Sequence, residues 1–337
     1  MKSIALSAVL LLTSTVHAQT QSVNVICGTN APWCDAAAKT FSAKTGIQVN
    51  SVRMPGGEAL ARVKAEKDNP KTDIWWAGTG DPFLQAAEEN LLEPYRPSNY
   101  NQLHAWSQNQ YKISGDKVGG FYSGAIGFGV NTEVLKKKNL PVPQCWADLL
   151  KPIYKGEIES SNPATSGGAY TIVAGLVQLM GEDKAFEYQK ALHKNITQYT
   201  RSSTAQGTNV GRGEVAIGIS FIHGFIEIIE SGFPVDVVVP CEGTSYEVGG
   251  IGLIKGARNT DNAKKFYEFM MSVEGQSLGA ASKTYQQPAN KNTLPNAKIL
   301  QADKVKLVDY DFKKYGSSET RKAVISRWEK EISAAPK

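Results

Sequence analysis

At 337 residues, with 41% apolar and 20% charged side chains, the chain is long and apolar enough for two ordinary domains, and its composition excludes a disordered or fibrous protein. A formal charge of +5, carried by residues scattered along the chain apart from Lys136-Lys137-Lys138, argues against a nucleic-acid surface. No stretch approaches the roughly 20 apolar residues of a membrane-spanning helix. Lys2 precedes a short apolar run over residues 4–12, and Val16-His17-Ala18 offers a cleavage site after Ala18, so residues 1–18 read as an export signal. Cys27 lies well past that point, and no lipid anchor is expected. Four cysteines in an exported chain favour disulfides, and the absence of any C-x-x-C spacing argues against a metal site. Three pairings are open; locality favours Cys27 with Cys34, leaving Cys145 with Cys241.

In chain order, 23–27 reads as a buried strand, 33–45 as an amphipathic helix closed by Gly46, and 47–52 as an alternating strand. Pro55-Gly56-Gly57-Glu58 opens a helix over 59–68. A strand over 72–77 follows, and Gly78-Thr79-Gly80-Asp81 opens a helix over 82–90. This β-α-β-α repetition predicts an α/β fold, in which ligands bind beyond the carboxyl ends of the strands. Those ends carry Thr29 and Asn30, Gly57, and Thr79 and Gly80, the first candidate ligand contacts. Residues 95–117 are polar and read as irregular. The glycine-bearing run 119–131 reads as an extended hinge strand leaving a first lobe, and 246–254 as a second one returning to it. Between them a second unit holds helices over 132–138, 169–180 and 184–193 and strands over 213–220 and 234–240. Helices over 262–272 and near 318–333 then complete the first lobe. The predicted organisation is a clam: lobe 1 from 19–125 and 250–337, lobe 2 from 126–249, each a mixed sheet flanked by helices, with the site in the cleft.

Residues 160–171, SSNPATSGGAYT, carry the strongest chemical signal. Ser166 is an N-cap candidate, Gly167 and Gly168 let backbone approach a ligand closely, and the apolar helix that follows presents amides without intrahelical partners. Such amides, at the positive end of a helix dipole, suit a phosphate, phosphonate or carboxylate. Ser203, in the hydroxyl-rich stretch 199–204, repeats the device. His223, just past a strand, can donate to phosphate or hydroxyl, and Glu247 can accept from a sugar hydroxyl or an amine. Trp33, Trp75 and Trp76 flank buried strands and read as core. Walker A, H-E-x-x-H and dinucleotide motifs are missing. Gly218-Ile219-Ser220-Phe221-Ile222 lacks the second glycine of a nucleophile elbow, which makes an exported hydrolase the remote alternative. No catalytic residue, metal or cofactor is expected.

Several phrases resemble one family. The export signal, the GTGD turn (78–81), the SGGAYT loop (166–171), the RGEVAIGISF strand (212–221) and the return segment 249–276 are similar to periplasmic solute-binding proteins of ABC importers, in the cluster for ferric iron, phosphonates and sugar phosphates. The resemblance covers the mature chain and implies the two-lobed type II fold, a periplasmic location and delivery of a small anionic solute to an inner-membrane permease by a monomer, without nucleic acid. Ferric-iron members use consecutive tyrosines, which this chain lacks; it reads Ser220-Phe221-Ile222-His223-Gly224 there, leaving iron as the alternative. Hexose-phosphate binders of the family carry a histidine at the His223 position, often followed by aspartate, and a glutamate in the segment 240–247. Here His223 and Glu247 are kept and Gly224 stands in place of the aspartate.

Overall fold

The computed structural model describes residues 21–295, 297–300 and 305–336; the expected signal peptide and its cleavage site lie outside them. The first half of the chain alternates as its periodicity predicts: β1 (Ser22–Cys27), α1 (Ala31–Thr45), β2 (Gln48–Arg53), α2 (Gly56–Ala65), β3 (Ile74–Thr79), α3 (Asp81–Glu88) and the short β4 (Leu92–Glu93). Local chemistry sets these boundaries. The Asn30 side chain caps α1 by accepting from Trp33 N–H at 3.1 Å, and Gly46 closes it at φ 72°, a left-handed conformation that costs glycine little.

Then come α4 (Ala105–Ser114), β5 (Gly119–Asn131), α5 (Thr132–Lys137), β6 (Ile158–Ser161), α6 (Gly167–Met180), α7 (Glu182–His193), β7 (Ile196–Thr200), α8 (Ala205–Gly211), β8 (Ile217–Phe221), α9 (Ile222–Glu230) and β9 (Val235–Val238). The chain ends with β10 (Tyr246–Ile254), α10 (Thr260–Met271), α11 (Val273–Ala281), β11 (Gln287–Pro288), α12 (Phe312–Tyr315) and α13 (Ser318–Trp328). In the first lobe, β1 runs parallel between β2 and β3, and β10 runs antiparallel between β3 and the first half of β5. The second half of β5 pairs antiparallel with β8 and β9, and β6 lies parallel between β8 and β7. One 13-residue strand thus belongs to both sheets. The chain crosses at Ala125 to Ile126 and again at Ser245 to Tyr246, where Tyr246 pairs with Ala125 and Ile126 N–H donates to the Ser245 carbonyl at 2.9 Å.

Each lobe has its own core. Phe41, Trp76, Phe121 and Phe266 fill one face of the first sheet, and Trp75 stacks on Phe83 across the other at 3.8 Å; these tryptophans are core, as read from the sequence. Phe128, Trp146, Tyr154 and Ile217 form the second core. Two disulfides, Cys27–Cys34 and Cys145–Cys241, close the expected pairs.

The structure departs from the sequence reading most in two segments. Residues 95–117 are not irregular: they contain α4, which buries only Ser107, Gln110 and Tyr111, so its apolar periodicity is faint. The C-terminal helices touch both lobes. Tyr310, Tyr315, Val324, Trp328 and Ile332 pack into the second lobe's core, while α12 lies against α3 and α4 and Phe312 packs on a first-lobe cluster.

Candidate functional site

Ser166 sits where β6 ends and α6 begins, and its hydroxyl accepts from Ala169 N–H at 3.3 Å, so the predicted cap forms. The two glycines after it are required by their neighbours. A Cβ on Gly167 would lie 2.3 Å from Thr79 Oγ1 and 3.2 Å from Thr79 Cβ, although Thr79 belongs to the other lobe. A Cβ on Gly168 would lie 2.8 Å from the Phe221 ring and 2.9 Å from Ser203 Oγ. The Phe221 ring stacks on His223 with centroids 5.2 Å apart, and a Cβ on Gly124 would lie 2.6 Å from His223 Nδ1 and 3.6 Å from Glu247 Oε1. Thr79, Gly167, Gly168, Ser203, His223 and Glu247 therefore form one contiguous band across the two lobes, joined at the crossing strands. Gly80 lies at its edge, where a Cβ would meet the Val248 carbonyl at 2.3 Å.

Three sequence candidates stand apart. Thr29 and Asn30 lie at the carboxyl end of β1 with oxygens engaged locally: Arg53 Nε donates to the Thr29 carbonyl at 2.6 Å, and Asn30 caps α1. Gly57 is exposed and a side chain there would meet nothing within 4 Å; its neighbour Gly56 faces the Thr79 loop instead. That loop leaves β3 through Ala77 at φ 61° and Gly78 at φ 93°, and Tyr122 Oη accepts from Gly78 N–H at 3.0 Å. An alanine in the left-handed region stores strain of order 1–3 kcal/mol, held here by the packing of Gly28 against it.

Beside the band is a small, partly open pocket lined by Thr79, Asp81, Thr171, Glu247, Tyr310 and Phe312 among others. Of these, sequence reasoning missed Asp81, Tyr310 and Phe312. Asp81 was legible only as part of a helix-opening turn, and the two aromatics come from a C-terminal segment that no local pattern brings to the seam.

Burial, reinforced by the Asp81 carboxylate, pushes Glu247 up to about 8, and burial pulls His223 down to about 3. At neutral pH both are uncharged, so the 4.0 Å approach of His223 Nε2 to Glu247 Oε1 joins an imidazole to a carboxylic acid rather than two ions. His223 Nδ1 is buried without a partner. The two groups act on stability with opposite signs. Glu247 holds a proton more tightly when folded, so its contribution is full below 4.5 and is lost as pH rises through 8. His223 refuses a proton when folded, so its contribution is present above 6.5 and lost as pH falls through 3. Between pH 4.5 and 8 the urea midpoint of the wild type should lose ground steadily to that of Glu247→Gln as pH rises, the His223 contribution being common to both. Parallel curves would contradict this protonation state.

Two α/β lobes with a helix-start cradle, a buried imidazole and a buried carboxyl along their seam define a solute-binding protein. Residues 69–314 match the family of bacterial extracellular solute-binding proteins, and the chain belongs to it. A protein of Haemophilus influenzae is 40% identical over 332 residues, 98% of this chain and 96% of its own. Among solved structures, the periplasmic binding protein AfuA from Actinobacillus pleuropneumoniae, with exogenous fructose-6-phosphate bound, is 44% identical. It has a TM-score of 0.90 over 94% of this chain and 100% of its own. The periplasmic binding protein P5PA is 38% identical, with a TM-score of 0.87 over 93% of this chain and 99% of its own. The fold is the two-lobed type II form of these proteins. Among the described residues, no helix is long and apolar enough to cross a membrane.

Proposed function

We propose that this protein is the periplasmic capture component of an ABC importer for a small phosphorylated organic solute, a sugar phosphate or a phosphonate. One observation carries the reading: Gly167 and Gly168 present the uncapped amides of α6 at a point where Thr79 of the opposite lobe and Ser203 leave no room for a side chain. Backbone N–H groups so placed bind phosphate oxygens and the helix dipole favours the negative charge. His223 Nδ1, buried and unpartnered, supplies a further polar group for the phosphate or a hydroxyl. The likeness to a fructose-6-phosphate-bound protein at 44% identity supports the same class of solute.

In this reading the lobes are hinged at Ala125/Ile126 and Ser245/Tyr246, with lobe 1 taking 19–125 and 246 to about 300, lobe 2 taking 126–245, and the C-terminal arm packed on both. The signal is cleaved after Ala18, and the mature chain acts as a monomer. It closes on the solute and docks on the inner-membrane permease without turning the solute over. Closure needs contacts from both lobes that exist only in the closed state, and the Thr79–Gly167 approach is one.

Ser166→Asp tests the cradle. Aspartate caps helices as well as serine does, so α6 stays formed, but a carboxylate then occupies the place meant for the solute's anion. Calorimetry should show affinity for fructose 6-phosphate falling at least about 100-fold with an unchanged melting temperature, the scale of a close like charge in a desolvated site. Unchanged affinity would remove the cradle from the site.

A further inference from the structure

An anion-binding cleft poses an electrostatic problem here: the pocket beside the band carries two carboxyl groups, Asp81 and Glu247, and among the described residues no lysine or arginine lines it. Glu247 meets the problem by protonation. Asp81 meets it through a partner from the far end of the chain, 240 residues away, for Arg321 Nη1 on α13 donates to Asp81 Oδ2. The pair is largely withdrawn from water, with 18% of the Arg321 side chain and 11% of the Asp81 side chain exposed. The guanidinium lies over the Tyr170 ring with Cζ 4.4 Å from its centroid, and Tyr170 follows the cradle by one turn, its N–H donating to the Ser166 carbonyl at 3.0 Å. Tyr170 is itself held by the C-terminal segment, donating its hydroxyl to the Tyr315 carbonyl at 2.6 Å. The same segment reaches α3 again, where Ser318 N–H donates to Glu88 Oε2 at 3.1 Å.

The geometry points to Arg321 as the residue that makes this cleft competent for an anion. It cancels the Asp81 charge between the cradle helix and the Thr79 loop without touching the solute. The C-terminal arm is thereby part of solute selection, and its Tyr310 and Phe312 line the same pocket. Without Arg321, Asp81 becomes an uncompensated, poorly solvated negative charge on the wall of the cavity, and it repels a phosphate dianion over a few ångströms of low-dielectric protein. The inference rests on the proposed anionic solute.

The sign of the charge separates this role from a merely structural one. Titration of wild type, Arg321→Gln, Arg321→Lys, Asp81→Asn and the Asp81→Asn/Arg321→Gln double variant with fructose 6-phosphate, followed by calorimetry, is the test. Arg321→Gln should weaken binding about 10-fold or more. Arg321→Lys and the double variant should stay within a few-fold of wild type, and Asp81→Asn should bind more tightly than wild type, since it leaves a net positive charge. An Asp81→Asn variant as weak as Arg321→Gln would make the pair a structural latch and overturn the inference, as would unchanged binding by Arg321→Gln. Should Arg321→Gln fail to fold, Asp81→Asn decides: binding tighter than wild type supports the inference, because Arg321 is then uncompensated, and binding equal to or weaker than wild type overturns it. Failure of the wild type to bind either fructose 6-phosphate or inorganic phosphate would sink the anionic-solute reading, and this inference with it.

Discussion

Gly167→Val should abolish solute capture while leaving both lobes folded. A Cβ at this position would sit 2.3, 3.1 and 3.2 Å from Oγ1, Cγ2 and Cβ of Thr79; rotating the threonine still leaves its Cβ at 3.2 Å, and the two γ-methyls of valine reach beyond that Cβ, so the lobes are pushed apart. Gly167 is the first residue of α6, where valine is a better helix former than glycine, and Ser166 continues to cap the helix. The clash exists only between lobes, so the open form is unharmed. The expected result is a loss of affinity exceeding about 100-fold, with unchanged circular dichroism and no solute-dependent compaction in small-angle scattering. A Gly167→Val protein that still compacts on adding solute would show that the two lobes do not meet at this point.

The second large effect concerns stability. The Cys145–Cys241 bridge spans 96 residues and encloses β6, the cradle, β8 and His223, nearly the whole ligand-facing part of the second lobe. Loop-closure entropy for a ring of this size is worth about 4–5 kcal/mol, against about 2–3 kcal/mol for Cys27–Cys34, whose separation is 7. Part of the geometry survives reduction, since Glu242 still accepts from Trp146 and Ala147 N–H at 2.8 and 3.0 Å and Trp146 Nε1 donates to the Gly243 carbonyl at 3.0 Å. Urea denaturation of Cys145→Ser/Cys241→Ser should therefore show the second lobe melting first, with the larger loss of the two disulfide variants. A larger loss for the Cys27→Ser/Cys34→Ser protein would contradict the loop-length argument.

What the sequence made legible was local. The cradle could be read because cap, glycines and apolar helix occur within a dozen residues, and the β-α repetition could be read because each strand and helix carries its own period and its own stop. The short disulfide was visible for the same reason. His223 and Glu247 could be named through resemblance, but their neutral charge states come from burial that only the fold supplies. The Thr79 contact with Gly167 and the Arg321 pair with Asp81 join residues far apart in sequence, and no local pattern marks them. The short helix α9, which carries His223, went unseen because its run of Ile and Phe follows directly on a strand of the same composition. That the C-terminal arm packs on both lobes was not legible, because an amphipathic helix shows which of its faces is buried, and not what buries it.

The central claim is that the seam between the lobes holds a small phosphorylated solute, and native mass spectrometry of the protein as purified from the periplasm tests it most directly. The sample is compared with the same protein after denaturation and refolding, and the released small molecule is identified by its mass. A phosphorus-containing organic compound, lost on denaturation and regained on titration, is the predicted result. Bound iron, with a visible charge-transfer colour and His223 and Glu247 as ligands, would contradict it.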